Sequence, residues 1–179
     1  MTVRRLTPDD AHYYRWLMLE AYAQHPEAYT STPDERAALP FHWWQARLSA
    51  EPDAQEIVLG AFDGRALVGS VGVAFEHRTK ARHKAFIFGM YVAPPARRTG
   101  IATRLLDAAL ATAQARPGVG LAQLTVTAGN HEARALYERA GFVVYGEEPF
   151  AVALIDGYVA KLHMWRDLGV SGHGASPRS

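Results

Sequence analysis

The sequence predicts an α/β domain of the α+β type around one mixed β-sheet. Three observations carry that reading: an Asp-Gly turn between two apolar runs, a strand–turn–helix unit centred on residues 94–100, and a second helix bracketed by strands after Asn130.

Residues 2–7 form a short first strand stopped by Pro8, and Asp9 or Asp10 opens a helix through Tyr14, Leu17, Met18 and Tyr22. That helix ends near His25 and Pro26. A polar loop through Thr30, Ser31, Thr32 and Pro33 leads to a second helix around 41–50, whose Trp43, Trp44 and Leu48 are bulky for a purely solvent-facing side. The apolar runs 57–62 and 66–75 flank Asp63 and Gly64, a tight hairpin signal because such turns need positive φ. The basic stretch 77–84 is the next loop. Residues 85–92, rich in β-formers, make the next strand, and Pro94-Pro95 ends it because proline lacks the ladder N–H.

After Gly100, Ile101, Leu105, Ala108 and Ala109 recur at helical spacing, with Leu106 and Leu110 widening the stripe. Pro117-Gly118 stops this helix, and 121–127 alternates as a strand. Asn130 caps a helix over 131–140 that closes at Gly141, a good left-handed residue after a helix end. Residues 142–145 and 158–165 supply two last strands. The Gly/Ser-rich segment 169–179 is expected to fray, which leaves 1–168 as a single domain.

Composition narrows the function. The chain has 179 residues, 49% hydrophobic and 21% charged, with a net charge of +1. Such near-neutrality argues against a whole-surface nucleic-acid or membrane binder and makes any basic region a local pocket. Cysteine is absent, which removes disulfides, thiolate nucleophiles and cysteine-ligated metal; the histidines lack metal spacing, since His131-Glu132 has no second histidine to follow it. No signal peptide or membrane-spanning apolar stretch is present in the sequence, so the cytoplasm is the expected compartment.

The residues with chemical content begin at Arg97, Arg98, Thr99, Gly100, Ile101, Ala102 and Thr103. The first N–H groups of a helix have no partner within it, so a phosphate placed there accepts them and meets the positive end of the dipole. Gly100 allows close backbone approach, and Arg97, Arg98 and Arg104 add charge. The second segment is Asn130 to Phe142, in which Asn130, Ala133, Arg134 and Tyr137 share one helical stripe.

Arg97-x-x-Gly100-x-Ala102 resembles the acyl-CoA pyrophosphate motif of the GNAT-type N-acetyltransferase superfamily, and Asn130, Ala133-x-x-x-Tyr137 and Gly141-Phe142 resemble its second motif. The resemblance implies a three-layer domain whose sheet of about seven strands is splayed at its centre and flanked by about four helices. It implies acetyl-CoA as co-substrate, with no metal, and direct transfer of the acetyl group to a primary amine of a small molecule or protein, in a ternary complex. Met90, Tyr91 and Val92 then pair with the pantetheine arm as an added strand would, and residues 97–103 wrap the pyrophosphate. No nucleic acid or membrane partner is implied, and the chain is monomer or homodimer. A non-catalytic acyl-CoA-binding sensor or interaction module is the second reading.

Tyr137 matches the family tyrosine that faces the departing sulfur. With ordinary pKa values of about 10 for tyrosine and about 8.5 for a thiol, complete proton transfer to the thiolate is uphill by ~2 kcal/mol, so hydrogen bonding to it is the expected role. The attacking amine must lose a proton. Many family members place a glutamate early in the strand before the pyrophosphate turn, where this chain has Phe86. Glu76, His77, His83, Glu148, Asp156 and His163 remain for a base, with Glu76 and Glu148 preferred for their positions.

Overall fold

Gly64 takes φ 59° and turns the chain between two antiparallel strands, which pair from Glu56 with Ala74 down to Asp63 with Ala66. A computed structural model describes residues 1–169. Its strands are β1 (Thr2–Arg5), β2 (Glu56–Asp63), β3 (Ala66–Phe75), β4 (Lys84–Val92), β5 (Leu121–Thr127), β6 (Val143–Leu154) and β7 (Gly157–Asp167), in the order β1-β2-β3-β4-β5-β7-β6. The helices are α1 (Ala11–Gln24), α2 (Pro33–Ala37), α3 (Phe41–Arg47), α4 (Ile101–Ala115) and α5 (His131–Arg139). Apart from Gly169, the segment expected to fray lies outside the described residues.

Two elements differ from the sequence expectation. Helix α2 stands inside the polar loop, started by Pro33 in its first turn and by a capping box in which Glu35 N–H donates to Thr32 Oγ1 at 3.1 Å and Thr32 N–H donates to Glu35 Oε2 at 2.8 Å. Strand β6 continues to Leu154 rather than stopping at 145. It is the sheet edge, where Pro149 forfeits no ladder bond, and register shifts after Val144 and Glu148 absorb its irregular middle.

Alternation along the strands sends side chains to both faces. On one face, Ile101, Leu105, Leu106 and Ala109 of α4 pack with Leu59, Val71, Val73 and Ile87, joined by Tyr137 and Phe142. The other face buries Tyr14, Leu17 and Met18 of α1 with Trp44 and Leu48 against Val58 and Phe62. Helices on both faces make three layers.

The centre of the sheet is split. β4 and β5 are its parallel pair, and they meet only where 84–86 face 121–123. Beyond Phe86 and Gln123 the two strands run on without pairing to each other. A bulge accompanies the split: Gly72 pairs with Phe88 but Ser70 with Tyr91, so Gly89 and Met90 oppose the single residue Val71. Gly89 has φ 60°, and since the nearest atom to a Cβ there is Met18 Cε at 3.9 Å, backbone conformation rather than space selects glycine.

Candidate functional site

The split opens into one continuous cleft of about 570 Å³. Its walls are the exposed side of β4 from Phe86 to Val92, Thr125, Val126 and Thr127 of β5, the turn before α4, and parts of α1, α2, α3 and α5. Met90, Tyr91, Val92, Arg97, Arg98, Gly100, Ile101, Ala102, Thr103, Asn130, Ala133 and Tyr137 all line it, so two distant sequence segments meet in one space.

Arg98 at φ 62° and Gly100 at φ 81° set the turn that opens α4. Gly100 occupies the cap position and has no side chain to serve the first N–H groups, and a Cβ built on it meets nothing within 4 Å. Open space at a glycine beside unserved helix N–H groups fits a pyrophosphate. Arg97 is held in place: its Nε–H donates to Val92 O at 3.0 Å, and its Nη2 approaches His25 Nε2 at 3.1 Å. A guanidinium only donates, so His25 Nε2 accepts and the ring proton sits on Nδ1, 3.3 Å from Glu27 Oε1. Thr99 turns away from the cleft, donating its hydroxyl to Ala96 O at 2.6 Å.

Helix α5 presents its own cleft-lining stripe. Asn130 Oδ1 accepts from Ala133 N–H at 3.0 Å, the expected cap. Arg134 leaves the expected stripe to pair with Glu138 at 2.7 Å, while Ala133, Leu136 and Tyr137 face the cleft. Tyr137 is 7% exposed, and burial pushes its hydroxyl up to about 12. Tyr91 lines the cleft through its backbone side, because its hydroxyl donates to Glu20 Oε1 at 2.7 Å beneath α1.

The bases preferred from sequence lie elsewhere. Glu76 borders a separate small cavity with Arg78, whose guanidinium and backbone N–H hold its carboxylate down at about 2. So depressed a carboxylate has little tendency to take a proton from an amine. Glu148 pairs with His163 at 3.0 Å, and neither lines the cleft. Phe86 does line it, where the family pattern has a glutamate.

Some wall residues escaped the sequence reading. Tyr29, placed near a polar loop, donates its hydroxyl to Met90 O at 3.4 Å, and burial raises its pKa far above the ordinary tyrosine value. An aromatic residue beside a polar loop was its only signal. Lys161 of β7 also reaches the cleft, donates to Ala28 O at 3.3 Å, and has its pKa lowered by burial.

A split sheet, a glycine-containing turn with unserved helix N–H groups after β4 and a buried tyrosine on α5 meet in one cleft that an acyl-CoA-type ligand would fit. The family model described as the acetyltransferase (GNAT) family matches residues 12–142, and the chain belongs to that family. The solved structures it resembles include a GNAT acetyltransferase from Streptococcus pneumoniae, with TM-score 0.84 and 24% identity over 94% of this chain and 99% of that one. A phosphinothricin acetyltransferase from Sinorhizobium meliloti in complex with acetyl-CoA gives TM-score 0.81 and 22% identity over 99% of this chain and 93% of that one. The yncA protein of Salmonella typhimurium with its cofactor acetyl-CoA gives 0.78 and 19% over 100% and 98%. No match was found among curated proteins. No helix among the described residues is long and apolar enough to cross a membrane.

Proposed function

We propose that residues 1–168 act as one catalytic domain that transfers an acetyl group from acetyl-CoA directly to a primary amine, both substrates being bound together. The observation that carries this reading is the joining of cradle and Tyr137 in one cleft along an unpaired stretch of β4. The pyrophosphate is received by the N–H groups of residues 101–103 with Arg97 and Arg98, and the pantetheine amides pair with the backbone at Met90 to Val92 as a further strand would. A thioester is already activated, so orienting the amine against its carbonyl supplies much of the acceleration, and a backbone N–H at Val92 meets the developing oxyanion.

Tyr137 then donates a hydrogen bond to the departing sulfur. With its hydroxyl at about 12 against a thiol near 8.5, full proton transfer is uphill by about 5 kcal/mol. The tyrosine therefore stabilises charge and keeps its proton. Phe86 in place of a carboxylate supports the second reading, a non-catalytic acyl-CoA-binding module. Calorimetry with acetyl-CoA followed by a thiol-release assay over a broad amine panel separates the two. Turnover on any amine supports the enzyme, and tight binding with none supports the module.

A further inference from the structure

Resting on that reading, we propose that the acceptor is a small amine bearing its own carboxylate, which Arg36 and Arg47 receive on the α2–α3 side of the cleft. Both arginines line the same cleft as Met90 and Tyr137. Their guanidinium carbons stand 4.8 Å and 5.2 Å from the centre of one ring, that of Trp43, and Arg36 also lies 5.7 Å from Tyr22 and Arg47 4.9 Å from Phe88. Aromatic faces thus flank both guanidinium charges, and a bound anion supplies the counter-charge that rings alone do not.

The counter-charge on the protein is incomplete. Arg47 has one carboxylate, Glu56, at 3.5 Å from its Nε. Arg36 pairs with no carboxylate among the described residues, and its buried Nε–H has no acceptor. A guanidinium so placed matches the two oxygens of a carboxylate.

Charge around the cleft points the same way. Arg36, Arg47, Arg97, Arg98, Arg139 and Lys161 line it, against Glu132 as the single acidic residue among the described lining. Arg97 and Arg98 belong to the cradle; of the other four, Arg36 and Arg47 share the Trp43 ring, and Arg47 also lies over Phe88. A polycationic acceptor has almost nothing there to pair with.

The test is acetyl-CoA thiol release with matched acceptors: amino acids, their carboxamides, the corresponding amines without the carboxylate, phosphonate analogues, and polyamines. The acids are expected to be acetylated with kcat/KM at least tenfold above their amides, and Arg36→Gln to raise KM for the acids about tenfold or more while leaving the amides nearly unchanged. Phosphonates turning over in place of carboxylates would overturn the carboxylate assignment. Amides or polyamines used as well as the acids would overturn the proposal while leaving acetyl transfer intact. If no amine is acetylated, the transferase reading fails, and calorimetry of N-acetylamino acids and their amides on the CoA-loaded wild-type protein decides the anion site. Acid-selective binding supports it, and equal or absent binding overturns it.

Discussion

The Phe142 N–H donates to the carbonyl oxygen of Tyr137 at 3.0 Å, and the two rings meet edge to face with centroids 6.1 Å apart. With Gly141 N–H donating to Glu138 O at 2.9 Å and Gly141 at φ 85°, this is a Schellman closure of α5. Phe142 is 2% exposed, so the helix end that carries Tyr137 is anchored in the core. The tyrosine reaches the cleft from a fixed base, as a hydrogen-bond donor to a developing charge requires.

Removing only that hydroxyl tests its role. Tyr137→Phe is expected to lower kcat by about ten- to a hundredfold, the range of a hydrogen bond to a charged group, with acetyl-CoA affinity changed less than about twofold. Steady-state kinetics and calorimetry read the two separately. Wild-type turnover would take Tyr137 out of the reaction.

The pH profile tests the amine's route to deprotonation. None of the bases proposed from sequence lines the cleft, so the free amine is expected to arrive from solution. For a lysine-like amine of pKa about 10.4, kcat/KM then rises about tenfold per pH unit between about pH 6 and about pH 9. Burial keeps Tyr137 protonated throughout, so it adds no falling limb. A plateau near neutrality would reveal an internal base.

The cleft wall beside Arg47 can be disturbed from behind. A Cβ at Gly72 stands 2.2 Å from Phe88 Cζ, so Gly72→Ala must displace that ring. Since Phe88 borders the α3 side of the cleft, acceptor KM should rise several-fold with acetyl-CoA affinity unchanged. An equal loss of both affinities would show that β4 itself had moved.

The start of the chain carries a pH-dependent tie. Asp10 accepts from Arg4 at 2.7 Å and 2.8 Å and from Thr7 N–H at 2.9 Å, and the Arg4 guanidinium holds its pKa below the ordinary carboxylate value. A depressed folded value means stability present above about pH 4 and lost as pH falls through the folded value. Asp10→Asn should cost about 1–2 kcal/mol at neutral pH and progressively less in acid. Denaturant melts at both pH values check this, and an unchanged gap would contradict it.

Local signals made most of the fold legible. The Asp63-Gly64 turn, the prolines after β4 and the cap at Asn130 each act within a few residues, so they can be read in order. The cradle and α5 could be joined because both resemble parts of one family pattern, now matched over residues 12–142. Helix α2 was missed although Thr32, Pro33 and Glu35 spell its start, because five residues offer no periodicity. Gly89 shows in sequence only as a lone glycine within a strand, and its bulge exists through the register with β3. Arg36 and Arg47 were invisible for another reason: Trp43 lies between them in the chain, yet their sharing of its ring and the approach of Arg47 to Phe88 depend on how α3 packs against the sheet.

The unpaired stretch of β4 and β5 has a mechanical consequence. A sheet normally gains stiffness from continuous ladders, and here one seam is fastened only at the end where 84–86 meet 121–123. Across that seam the two halves of the sheet are joined by ladder bonds at the short fastening and elsewhere by side-chain packing, so a ligand that bonds along β4 would act as a wedge and a tie at once. On the proposed reading, a donor bound there braces the seam before the acceptor arrives, and an ordered sequence of binding is the expected outcome.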